Sequence, residues 1–355
     1  MTSLRRSHRA SQRARHERAR RERGFALAAA LLGVVLAGTV AAALAELARL
    51  EVVLARLRRA TVDALAAVDG CLHAAVAALP AGWDFDAVIV GADGTAGTAD
   101  DGVVPLAAAC SGVARAAPGP AAPPRMLLAL EASRGRGRRR LDALVGRTVQ
   151  PGAGALVWLA SPAGIGAVGG TFALDGNGPT RPMASLAAPA EPAALDAWIA
   201  VQGSAVTVSS GTGAPIWAPP PPLQALAARA ASAGAVSAAA GLVGAPPAPP
   251  AVILAPGDLH VDTPRAGAGV LVVDGVLRLQ APLEFTGVVA ALGGLRVEAT
   301  GSLDVHGALW LGDESIDPLV IDGTAAIHAS AAALDVADSL LSLPRRARVA
   351  SVMDF

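Results

Sequence analysis

Three groups of side chains have the types that chemistry needs. Asp93, Asp100 and Asp101 lie in the stretch GADGTAGTADDG, and carboxylates in a glycine-rich loop are oxygen donors for calcium. Their spacing lacks the alternation and closing glutamate of an EF-hand loop, so a solvated turn competes with the metal reading. Glu284, Glu298 and Asp304 fall among short repeated strands, where dispersed acids converging on one face would serve a polysaccharide lyase or hydrolase; a solvated strand position is the simpler account of each. Cys71 and Cys110 are the two cysteines. Outside the cytoplasm, where disulfides persist, a bridge between them would staple a loop to a helix; two buried free thiols are the alternative.

The remaining candidates are weaker. His8, His16, His73, His260, His306 and His328 are scattered and offer no pair at metal-ligand spacing on a recognisable element, so zinc is not indicated. The stretch GIGAVGG, Gly164 to Gly170, has glycines in the wrong order for a dinucleotide fingerprint and no long helix after it, and reads as a flexible loop. No phosphate-cradling loop, nucleophile elbow or paired-carboxylate motif stands in a strand-turn-helix context. The residues therefore predict a non-catalytic protein with no cofactor, no metal and no small-molecule substrate.

What positions these residues begins with a basic arm. Residues 1–23 carry nine arginines against Glu17 and Glu22, and the chain's zero formal net charge conceals that asymmetry. Phe25 to Ala45 follows without a charge, long enough at about 1.5 Å per residue to cross the roughly 30 Å hydrocarbon layer of a bilayer. Arginines beside such a segment are retained in the cytoplasm, which predicts a cytoplasmic arm and an exported remainder. An arginine run also contacts phosphate backbones, but the adjoining apolar segment explains it more simply as a topology signal, and no nucleic-acid binding is inferred. A secretory signal peptide cut near Ala41, Ala43 or Ala45 and a twin-arginine signal at Arg20 and Arg21 are competing export routes.

Beyond the apolar stretch, Leu47, Leu50, Leu54, Leu57, Leu65, Val68, Leu72, Val76 and Leu79 recur at the spacing of one helical face, with charges mostly elsewhere. One helix is predicted from near Phe25 to just before Pro80, where proline ends it. Residues 80–250 read as a mixed region rich in Pro and Gly, with a helix near Glu191 to Val201 and another from about Leu223 to Leu242. From Ala251 three blocks repeat at 18 residues: Gly257, Gly275 and Gly293 align, as do Leu259, Leu277 and Leu295. A fourth copy, GALWLGDESI, is displaced by two residues. Apolar residues alternate with polar ones inside each block, as in strands with one buried face, and the glycines sit where a turn needs angular freedom. Strands at a constant period predict a parallel β-solenoid, with an antiparallel meander as the alternative.

With both ends in view, the sequence resembles type IV pilus assembly proteins of the PilX type, minor pilin-like proteins with a prepilin-type N-terminus. The matching elements are the leader ending ArgGlyPhe at 23–25, the apolar helix, LAAVDGCLHAAVAALPAGWDF at 65–85, TFALDGNGP at 171–179, the GVLVVDGVLRL repeat, and GTAAIHASAAAL at 323–334. The resemblance implies peptidase cleavage between Gly24 and Phe25. Ala29 occupies the position where most pilins carry glutamate, which implies an initiating or tip role rather than a major subunit.

The fold class expected is α+β: a long N-terminal transmembrane helix, then a mixed domain, then a glycine-rich β-solenoid-like region. The organisation is a leader (1–24), a long helix (25–79), a mixed region (80–250), repeats (251–335) and a C-terminal tail (336–355). The expected partners are pilin-like subunits, the pilus assembly machinery and the membrane. The expected location is the bacterial inner membrane, single-pass, with the C-terminal domain periplasmic or extracellular. A membrane-anchored surface adhesin and a carbohydrate-active solenoid enzyme are the alternatives.

Overall fold

A computed structural model describes residues 4–354 apart from 92, 105, 107–109, 119–123, 136, 149–154, 160–164, 177–180, 183, 187–190, 210–211, 218–220, 245–248 and 313–318. At 4–26, 28, 165–167, 181, 185, 186, 191, 217 and 354 it describes the backbone alone. The chain divides into two compact units: Met1–Leu65 with Arg134–Arg138, and Ala66–Ser133 with Arg139–Phe355.

The first unit is dominated by helix. A single helix runs Leu4–Ala78, beginning well before Phe25. The arm is rich in arginine, alanine and glutamate, which favour helix, and holds neither glycine nor proline between Leu4 and Arg23. Leu31, Leu32, Val34, Val35 and Leu36 are all exposed, and consecutive helical residues point to every side. Thr39, the one hydroxyl in the apolar stretch, donates to the Leu36 carbonyl at 2.9 Å, so it leaves no unsatisfied polar group. This is one helix long and apolar enough to cross a membrane.

In the second unit the tail of that helix becomes a core element. Val68, Cys71, Leu72, Ala75 and then Leu79 are buried with Met126, Leu128, Leu130, Leu141, Ala143 and Val145. The apolar strand positions alternate, as a sheet with one covered face requires. Those strands form an antiparallel sheet in the order Cys110–Ala116, Arg125–Arg134, Gly137–Arg147, Ala347–Asp354. The C-terminal residues expected to form a tail therefore contribute a helix, Ala331–Leu340, and an edge strand of this sheet. The stripe from Leu47 to Leu79 does not dock as a whole. Leu47, Leu50, Leu54 and Leu57 are exposed.

The rest of the second unit is a parallel β-solenoid. From Ala251 each coil presents three strands in turn, and the register stacks Ala251 on Gly269, Gly287 and Gly307. Leu259 stacks on Leu277, Leu295 and Leu319. The 18-residue period holds over three coils, and the step from Gly287 to Gly307 is two residues longer. Leu271, Leu277, Leu283 and Phe285 fill the interior with their counterparts in the other coils.

The solenoid does not begin at residue 251. Strand Val157–Leu159 pairs with Leu309–Leu311, Ile165–Val168 with the strand Leu319–Ile321, and Thr171–Asp175 with Thr324–His328. Ala184–Leu186 and Val206–Val208 stack on that coil in turn. Chain that comes earlier in sequence thus forms the later coils in space. Residues 164–170, read as a flexible loop, contain the strand Ile165–Val168; a Cβ at Gly170 would run into the Gly323 carbonyl, so this glycine serves close packing of two coils.

The stretches Val270–Val273, Val288–Ala291 and Ala308–Leu311 are buried on both faces. Their outer side is covered by the helices Leu223–Ser232 and Ala331–Leu340, which explains the uninterrupted apolar runs there. The helix expected over Leu223 to Leu242 stops at Ser232, because Gly234 takes a positive φ of 75°. Among the aligned glycines only Gly257 has a positive φ, 119°. At Gly293 the constraint is space: a Cβ would lie 2.7 Å from the Gly275 carbonyl carbon.

Candidate functional site

One flank of the solenoid collects the side chains with chemical potential. Strands Pro282–Ala291, Ser302–Leu311, Thr324–His328 and Thr171–Asp175 lie side by side, and alternate residues point outward from each. The register places Glu284 beside Asp304, and His306 beside His328 and then Asp175. The His306 and His328 rings stack with centroids 4.9 Å apart and planes 18° from parallel, close to the strand spacing itself. His306 Nε2 lies 3.5 Å and His328 Nε2 3.6 Å from Asp304 Oδ1. On its other edge His328 Nδ1 makes a long contact of 3.4 Å with Asp175 Oδ2.

Of the acids singled out in sequence, Glu284 and Asp304 are neighbours on this flank. Glu298 is elsewhere, accepting from Gln280 Nε2 at 3.1 Å. His306 and His328, far apart in the sequence, are cross-strand neighbours. They were missed because the coil between them is longer than the 18-residue period, so the repeat does not align them. Extending the strand register past the third copy is the signal that finds them.

The acidic loop is built differently. Asp93 Oδ1 accepts from the Thr95 amide at 2.8 Å, Asp101 Oδ2 from the Gly97 amide at 2.6 Å, and Thr98 Oγ1 donates to Asp100 Oδ1 at 2.7 Å. These carboxylates hold the turn together through local hydrogen bonds, the ordinary use of Asp in a loop. Residue 92 lies outside the described residues. Among the described residues no group of three or more His, Cys, Asp or Glu is placed so that it could hold a metal ion.

Cys71 and Cys110 are joined in a disulfide with Cα atoms 6.1 Å apart. It ties the buried tail of the first helix to the first strand of the antiparallel sheet. Nearby, the Arg147 guanidinium donates to the carbonyls of Pro80 (2.7 Å), Arg345 (3.1 Å) and Asp84, and lies 4.0 Å over the Phe85 ring. Burial lowers its pKa to about 10, with the Asp84 charge opposing. This side chain, not singled out in sequence, pins three chain segments at the end of the helix.

Gly24 and Phe25 lie within the helix Leu4–Ala78, and their side chains are outside the described residues. Ala29 is exposed. The TFALDGNGP element contributes the strand Thr171–Asp175, while 177–179 lie outside the described residues. No known protein family, curated protein or solved structure matches the chain.

Proposed function

We propose that this protein is a structural, non-catalytic, membrane-anchored component of type IV pilus assembly or a related secretion machine, of the minor pilin-like PilX type. The observation that carries the reading is the division of one helix into two environments. Leu31 to Leu44 is bare, uncharged apolar surface, whereas Val68 to Leu79 is packed under a sheet. Bare apolar helix needs lipid or other helices around it, and helices in lipid associate by lateral packing. The arginine arm keeps the N-terminus cytoplasmic at the inner membrane, and the sheet and solenoid are exported. The Cys71–Cys110 disulfide suits an oxidising compartment.

Mass spectrometry of the mature N-terminus in membranes tests this directly. A start at Phe25 is expected, together with co-purification of pilin-like subunits and loss of pili on deletion. A terminus near residue 46, or normal piliation without the gene, overturns the reading. The outward ladder of Glu284, Asp304, His306 and His328 favours a second reading, a surface adhesin binding through the solenoid flank. On that reading deletion leaves piliation intact and reduces attachment.

A further inference from the structure

Leu50, Leu54 and Leu57 are exposed on the face of the first helix that also carries the buried Ala64, since steps of three, four and seven residues keep to one side. That face passes from bare to covered at Ala60. The hairpin tip Arg134–Arg138, part of the same compact unit, lies so close there that a Cβ at Gly137 would run into the Ala60 carbonyl and stand 3.1 Å from the Ala64 Cβ. The bare leucines therefore end at a shoulder, where Arg58 on the helix and Arg134 and Arg138 on the hairpin are all exposed. The membrane end of the stretch has the opposite sign: Glu46 and Glu51 outnumber Arg49, which reaches Glu46 at 3.8 Å.

We propose that this bare stretch, Leu47 to Leu57, seats the helix of a different membrane-anchored protein, one that carries basic residues just outside the bilayer and acidic residues about three turns further on. The assignment rests on the anchored, laterally packing helix described above and adds which partner it accepts. Lipid does not reach the arginines. From Ala45 to Arg58 the helix climbs about 20 Å, of which headgroups take about 5–8 Å, and the remainder exceeds the Debye length of about 8 Å at physiological salt. A second copy meets them with the wrong charges. The same apolar segment, Phe25 to Ala45, sets both copies at one height, so arginine would face arginine and glutamate would face glutamate, and like charges set opposite each other are costly. A helix with the reverse order of charges satisfies both ends while its apolar stripe covers the leucines.

Full-length protein in nanodiscs of zwitterionic lipid, with energy transfer to labelled single-span probe helices, tests the assignment. One probe carries a leucine stripe with arginines at the bilayer and glutamates about three turns on; the control has those charges exchanged. The first should bind at least about tenfold tighter than the second. The variant Arg58→Glu, Arg134→Glu, Arg138→Glu should invert the preference, and Leu54→Ser should weaken binding of both probes. If the charge-reversed protein loses its native circular dichroism, Arg58→Gln, Arg134→Gln, Arg138→Gln replaces it and should abolish the preference. Equal binding of the two probes, a preference that the arginine variants leave unchanged, or self-association tighter than probe binding overturns the proposal. A preference that emerges only with added phosphatidylglycerol shows that the arginines read lipid and overturns it too. Loss of pili on deletion with equal probe binding sinks the docking face alone; selective binding with normal piliation sinks the pilus reading alone.

Discussion

Gly287 stands between Gly269 and Gly307 in the solenoid ladder, at a φ of 139°. A Cβ there would meet the Gly269 carbonyl oxygen. Gly257 has a similar demand on its backbone, φ 119°, but nothing lies within 4 Å of its Cβ position. The two positions separate strain from collision. Gly257→Ala should cost about 1–2 kcal/mol for the left-handed conformation alone. Gly287→Ala should cost more than about 3 kcal/mol, because the coil below must also shift. Urea denaturation of both variants measures the difference, and equal losses would show that coil contact adds nothing. Periodicity exposed the aligned glycines in the sequence. Whether each answers a need for angle or for space depends on the neighbouring coil.

At the level of elements, one apolar stripe meets two fates. Leu72 is 2% exposed under the antiparallel sheet and Leu50 is 56% exposed. Leu72→Ala should therefore destabilise the fold by about 2–5 kcal/mol, while Leu50→Ala should stay within about 0.5 kcal/mol. Thermal denaturation of the detergent-solubilised protein distinguishes them; a large loss at Leu50 would mean that its part of the helix is covered. The disulfide is the second device at this scale. It joins residues 39 apart in sequence, and the chain-entropy model assigns about 3–4 kcal/mol to closing such a loop. The paired Cys71→Ser, Cys110→Ser variant should lose stability of that order in unfolding titrations, with the wild type under reductant behaving alike. Helical spacing made the stripe readable from residues alone. Where its docking stops was not readable, since the covering strands come from 110–147 and 347–354.

At the level of the whole molecule, the solenoid is assembled out of chain order. The outer edges of Leu309–Leu311 and Thr324–His328 are closed by Val157–Leu159 and Thr171–Asp175. A fragment containing residues 251–343, which the repeat alone marks as a unit, would expose those edges as unpaired backbone donors and acceptors. Open parallel edges recruit other chains. The fragment should aggregate or exchange its amide hydrogens rapidly along Leu309–Leu311 and Thr324–His328, whereas a fragment beginning near residue 155 and ending at 343 should remain soluble. Hydrogen exchange with size-exclusion chromatography reads both, and a stable, monomeric 251–343 fragment would show that the earlier coils are dispensable.

Composition and local period determined the apolar helix, its stop before Pro80, the solenoid and its 18-residue step, since each depends on residues close together in the chain. Tertiary structure decided what those elements meet. The C-terminal strand closes a sheet begun more than two hundred residues earlier, and coils from 157–217 extend a stack whose repeat starts at Ala251. It also decided that Asp304, His306, His328 and Asp175 share one flank. Coil stacking sets side chains one strand spacing apart whatever their separation in sequence. Once coil length drifts from 18, a fixed repeat no longer aligns those positions in the linear chain.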